Sequence, residues 1–197
     1  MFLIALSRNE VLKSLIQTND NRFLLRNRFL IDSNKSFIQE ALDSDIEAFK
    51  VDVYDDELAN NIELNDVGYL IALTGSDQVN MHALNKFSEN FGEQGAYKLA
   101  SSKEITEASD SDRESFFTPH DDYINLSEAY RENPIINEVN ISNQKEYNSL
   151  LEVLSKEEKS IPLFVENKQG IYLLPEFEKN KFAKEDITLF YLGKVVN

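Results

Sequence analysis

Between residues 2 and 100 short apolar runs recur at intervals, with helix-patterned stretches between them, and this alternation limits the possible folds more than any other feature. The runs are FLIAL (2–6), RFLID (28–32), FKVDVY (49–54), GYLIALT (68–74) and AYKLA (96–100). Between the first two, Val11, Leu12, Leu15 and Ile16 fall at helical spacing. After the second, Ser33 or Asn34 is placed to cap a helix carrying Phe37, Ile38 and Leu42 on one face. DDELANNIEL after the third run has two acids in its first turn, where a helix dipole favours negative charge. After the fourth, SDQVNMHALNKFSENFG predicts the clearest helix of the chain. Ser76 or Asp77 would cap it, Val79, Ala83, Phe87 and Phe91 would line one face, and Gly92 would end it.

Strand and helix repeated four times with short connections require a parallel sheet with right-handed crossovers. GYLIALT is apolar almost throughout, as a strand buried on both faces must be. Residues 1–100 are therefore expected to form a Rossmann-like parallel sheet with helices on both faces. Residues 101–117, rich in Ser and acids and without Leu or Val, read as a linker. Residues 118–197 read as a small α+β domain. It has a helix over about 121–132 ended by Pro134, a strand in IINEVNIS, a helix in QKEYNSLLEVLSKEE and three closing strands. NKQG (167–170) between two of these is a hairpin signal.

Composition excludes several classes of function. No cysteine is present, so disulfides, thiolate metal sites and cysteine nucleophiles are ruled out. A net charge of −15 opposes binding to nucleic acid or to anionic lipid. No apolar run approaches the ~20 residues that cross a bilayer, so no membrane insertion and a cytoplasmic location are expected. His82 and His120 are the only histidines and lack ligand spacing. No G-x-S-x-G, P-loop or H-E-x-x-H occurs, and no acid/base pair can be placed, so no catalytic residue, no metal ligand and no enzyme activity are expected.

Open parallel sheets bind ligands at the carboxyl ends of their strands. The candidate residues there are Asp32, Asp52, Thr74, Gly75, Ser76 and Asp77. Asp32 ends the second strand, where an acid can hold a ribose hydroxyl; as a helix cap it would serve structure alone. Asp52 lies in the third run and is either a ligand contact or a solvent-facing strand residue. Thr74 to Asp77 form either a ligand edge or a capped turn, with Gly75 able to take a positive φ. One departure from nucleotide-binding sheets is plain. The first strand is followed by Ser7-Arg8-Asn9-Glu10, and the first glycine of the chain is Gly68. A pyrophosphate needs glycines in that turn so that the backbone can approach it. Glu10 also opposes a phosphate, and NDNRFLLRNR (19–28) suggests a rearranged first unit.

FLIDSN, the acidic helix start after the third run, and above all LIALTGSDQVNMHALNKFSENFG followed by YKL resemble the RCK N-terminal domain, also called TrkA-N or KTN. The likeness is nearest to the cytosolic tails of bacterial sodium/proton antiporters of the cation:proton antiporter class. FFTPHDDYINLSEAY, IPLFVENKQGIYLLP and KEDITLFYLGK are similar to the RCK C-terminal region that follows there, with Lys184-Glu185-Asp186 in place of the usual Gly-Asp step. The resemblance spans residues 23 to 194. It implies a regulatory or assembly domain of a monovalent cation:proton antiporter, a homodimer partnered by a membrane-embedded antiporter domain. It further implies NAD(H) or an adenine nucleotide as the ligand, with affinity weakened or lost through the missing glycine turn. Alternatives are a stand-alone TrkA-like nucleotide-sensing subunit of a potassium transporter and a small NAD-dependent oxidoreductase.

Overall fold

A computed structural model of the chain describes residues 3–6, 28–55, 69–87, 96–107, 122–157, 159–168, 170–174 and 186–196. The chain divides into two compact units, Met1–Leu99 and Ala100–Asn197. Several sequence expectations lie outside the described residues. They are the Ser7–Glu10 turn, the helix over Val11–Ile16, the helix of residues 56–64, Phe91, Gly92, His120 and residues 108–117 of the linker.

The first unit is built on a five-stranded sheet in the order β3-β2-β1-β4-β5. Its strands are β1 (Leu3–Leu6), β2 (Arg28–Asp32), β3 (Glu47–Lys50), β4 (Tyr69–Ala72) and β5 (Ala96–Lys98). Each neighbouring pair is parallel. All four residues of β4 are buried, and the reason is positional. Leu70 and Ala72 join Ile31, Val53, Ala83 and Phe87 in one apolar cluster on one face. Tyr69 and Ile71 alternate to the other face and are equally buried. Helix α1 (Lys35–Asp43) packs on β2 and β3, and helix α2 (Asp77–Phe87) on β4 and β5.

Three local expectations are corrected. The third strand ends at Lys50, so Asp52 lies in the turn that follows it and not in a strand. KVDVY alternates like a strand, but the Asp52 carboxylate accepts the Tyr54 N–H at 3.0 Å and its carbonyl accepts the Asp55 N–H at 2.9 Å. These bonds fold the chain into a turn before the alternation can be used. In α1 the buried positions are Ile38 and Ala41, while Leu42 is exposed. The step from 38 to 41 turns the buried face one residue away from Leu42. Residues read as the start of the linker, Ser102–Glu107, form a short helix, α3, whose first turn is closed by Ile105 N–H to the Ser101 carbonyl.

The second unit carries α4 (Tyr123–Glu132), β6 (Ile136–Ile141), α5 (Gln144–Lys156), β7 (Ile161–Asn167), β8 (Gly170–Leu173) and β9 (Ile187–Leu192). Its sheet runs β6-β9-β7-β8 and is antiparallel throughout. Asp122 and Asn143 cap the two helices through Asn125 N–H and Glu146 N–H. Asp122 also receives the Ser102 hydroxyl, which ties α3 to the start of α4. Tyr147 and Leu154 of α5 meet Val165, Ile187, Leu189 and Tyr191 of the sheet in the core. Pro162 cannot donate to a ladder, and the β7–β9 register shifts between Pro162 and Phe164 to accommodate it. The NKQG hairpin forms as its residues require, with Asn167 opposite Gly170 and the Asn167 carboxamide accepting the Gly170 N–H at 3.1 Å.

Gly193 just after β9 is required by space and by conformation. Its φ is +137°, and an added Cβ would lie 2.8 Å from Ser160 Cα and against the Ser160 hydroxyl. Its carbonyl also accepts Asn137 Nδ2 at 2.8 Å. Gly193→Ala is expected to cost about 2–3 kcal/mol through backbone strain and overpacking, read as a lower urea midpoint at unchanged slope.

Candidate functional site

In a parallel sheet every strand points the same way, so the residues that follow the strands share one edge. Here that edge carries Asp32 at the end of β2, Asp52 after β3, Thr74 to Asp77 after β4, and Lys98 at the end of β5. The strand order reverses at β1: β2 and β3 lie on one side, β4 and β5 on the other. Ligands of open α/β sheets lodge at that reversal, between the ends of β1 and β4.

Asp32 is 8% exposed. Its Oδ1 accepts the Asn34 N–H at 2.7 Å, and its carbonyl accepts the Val51 N–H at 3.1 Å. Asn34 in turn caps α1, its Oδ1 accepting Ser36 N–H and Ser36 Oγ. So the cap is Asn34, and Asp32 shapes the turn that leads to it.

The turn after β4 is held by a residue the sequence reading left unassigned. Asn80, on the first turn of α2, is 3% exposed. Its Oδ1 accepts the Thr74 N–H at 3.0 Å and lies 2.7 Å from Thr74 Oγ1, and its Nδ2 donates to the Thr74 carbonyl at 3.0 Å. The Asn80 carboxamide therefore continues the hydrogen bonding of β4 where no further strand residue does. Thr74 Oγ1 also accepts the Ser76 N–H at 3.2 Å. Ser76 occupies the capping position, its Oγ 3.4 Å from Val79 N and its carbonyl accepting Asn80 N–H at 3.0 Å. Gly75 does not supply a left-handed residue: the positive-φ glycines among the described residues are Gly170 and Gly193. Side-chain bonds make this turn, so no left-handed position is needed. Asn80 was legible in retrospect, because positions 80, 83 and 87 share the helical face that carries the buried Ala83 and Phe87.

Lys98 is the second unassigned residue. Its side chain is 9% exposed and its Nζ lies 2.9 Å from Asp77 Oδ1, while Asp77 remains 44% exposed. A lysine inside the apolar run AYKLA was the available signal. The Asp77 carboxylate thus faces both the positive end of α2 and a nearly buried ammonium group.

The turn after β3 is clipped to α2. Lys86 Nζ donates to the Asp55 carbonyl at 2.7 Å and lies 3.5 Å from that of Val53. The Tyr54 ring packs on the His82 imidazole with centroids 4.5 Å apart. His82 Nε2 is buried with no hydrogen-bond partner among the described residues. Tyr54 itself is 55% exposed. His82 is the support beneath Tyr54, since the turn from β3 folds over that position.

These elements match a known domain family. The TrkA-N domain model covers residues 9–117, more than half the chain, and the chain belongs to that family. TrkA-N domains are regulatory, nucleotide-binding domains of potassium and other cation transport. The match runs past the boundary of the first unit at Leu99. No curated protein matches the chain closely enough to count as a relative. Among the described residues no helix is long and apolar enough to cross a membrane.

The dinucleotide that the family implies fits this edge in part. An acid stands at the end of β2 for a ribose, but the sequence that follows β1, Ser7-Arg8-Asn9-Glu10, lies outside the described residues and contains none of the glycines that a pyrophosphate needs there. Asn80→Ala is expected to leave Thr74 N–H without its acceptor and to cost about 2–3 kcal/mol, measured by urea unfolding. Asn85→Ala on the exposed side of the same helix is expected to change stability by less than about 0.5 kcal/mol.

Proposed function

We propose that this chain is a non-catalytic regulatory or assembly domain of a monovalent cation:proton antiporter, in which nucleotide binding is weakened or lost. The observation that carries the reading is the TrkA-N match over residues 9–117 combined with the absence of glycine from the sequence Ser7–Glu10. The family supplies the regulatory role, and the missing glycines argue against the usual pyrophosphate cradle. The antiporter context rests on the likeness of LIALTGSDQVNMHALNKFSENFG to antiporter tails. The second unit would then be the RCK C-terminal-like partner domain. The chain would act as a cytosolic homodimer coupled to a membrane-embedded antiporter domain, and its coupling would be worth ~1–3 kcal/mol.

The alternative of a separate TrkA-like potassium-transporter subunit differs in one respect that can be observed, namely covalent attachment. The reading frame upstream is expected to continue into about a dozen hydrophobic spans of the kind that cross a bilayer. In everted vesicles carrying the whole gene product, removal of residues 1–197 is expected to change sodium-dependent proton flux several-fold. A frame without such spans, or a flux indifferent to the deletion, would contradict the antiporter reading.

A further inference from the structure

The outermost strands of a sheet carry backbone N–H and C=O groups without a ladder partner, and natural edges are blunted by brevity, proline, lysine or a bulge. Among the described residues β3 and β5 are outermost in the first unit, β6 and β8 in the second. β3 and β8 are four residues long and β5 is three. β6 is six residues long, Ile136–Ile141, and has no proline or lysine. Its register to β9 runs unbroken from Ile136 opposite Leu192 to Ile141 opposite Ile187, so no bulge turns it away either.

The side chains of β6 restrict what can pair with it. Val139 and Ile141 belong to the apolar cluster on the face covered by α5. Glu138 and Asn140 alternate to the other face and are exposed. Asn140 Oδ1 accepts the Thr188 hydroxyl at 2.9 Å, which fixes the carboxamide and leaves its Nδ2 as a donor. Directly opposite residues of an antiparallel pair share a face, and a two-fold axis normal to the sheet gives each strand the same surface to offer the other. An axis at Glu138 would set two carboxylates against each other, which is unfavourable. An axis at Val139 sets Glu138 of each copy against Asn140 of the other, acceptor against donor, twice over. The two Val139 side chains then meet and join the apolar clusters of the two copies. A chain of net charge −15 repels its own copy at a distance, so a contact that adds no like-charge pair is the kind that can hold it.

We propose that β6 is the contact edge of the homodimer. Two copies of the chain pair antiparallel through Ile136–Ile141 about Val139, and the four-stranded sheets of their second units become one continuous sheet. The inference rests on the homodimer reading above and names its surface.

The test is sedimentation velocity of the full chain over a micromolar range at moderate salt, with far-UV circular dichroism as the check of folding. The unaltered chain is expected to dimerise within that range. Asn140→Asp keeps an acceptor for the Thr188 hydroxyl but sets like charges across the edge twice. It is expected to raise the dimer Kd by about tenfold or more with an unchanged dichroism spectrum. Adding Glu138→Gln to Asn140→Asp returns a donor opposite each new acceptor and is expected to restore the dimer. A dimer indifferent to Asn140→Asp, or a double variant as weak as the single one, would overturn the β6 surface and leave the homodimer reading standing. A monomer at every concentration would overturn both.

Discussion

The candidate edge depends on one buried carboxamide. At the end of β4 the backbone of Thr74 leaves the sheet and has to enter α2 within three residues, and its N–H and carbonyl both need partners. Asn80 provides them from the helix itself, with three contacts of 2.7 to 3.0 Å to Thr74. Because Asn80 is held in turn by the apolar face that includes Ala83 and Phe87, the position of the turn is set by the core. Buried polar groups are costly when unpaired, so a partner of this kind fixes one geometry in preference to its alternatives. The turn at Thr74 is thereby held in one geometry.

The same core arranges the other side of the edge. Val53 lies in the cluster with Ile31, Leu70 and Phe87, so the turn after β3 is drawn onto α2, where Lys86 closes it and His82 supports Tyr54. Sheet order then places Asp32 between that turn and the reversal at β1. Packing, hydrogen bonding and charge thus divide the edge into an aromatic and acidic side and a side where cation and anion neutralise each other. The TrkA-N family gives this edge a regulatory setting.

Much of the fold was legible in the residues, and the misses have physical causes. The apolar run YLIA marks β4 because a strand covered on both faces leaves little room for polar side chains. The end of β3 was hidden because KVDVY keeps strand alternation while Asp52 bonds locally to Tyr54, and periodicity does not register such a bond. The candidate residues Asp32, Asp52 and Thr74 to Asp77 do follow strand ends on one edge. Asn80 and Lys98 were missed because a polar residue in a helix and a lysine in a short strand ordinarily face solvent. Their burial became visible only when the partner from a distant element, Thr74 or Asp77, was in place.

A ligand held at the carboxyl edge of the parallel sheet must perturb the amides that follow its strands. The most direct measurement is a backbone-amide NMR titration of the full chain with adenosine. Shifts are expected to concentrate at residues 32–34, 51–55 and 74–77, with the second unit unaffected. Shifts confined to residues 100–197, or no shifts at saturating ligand, would contradict it.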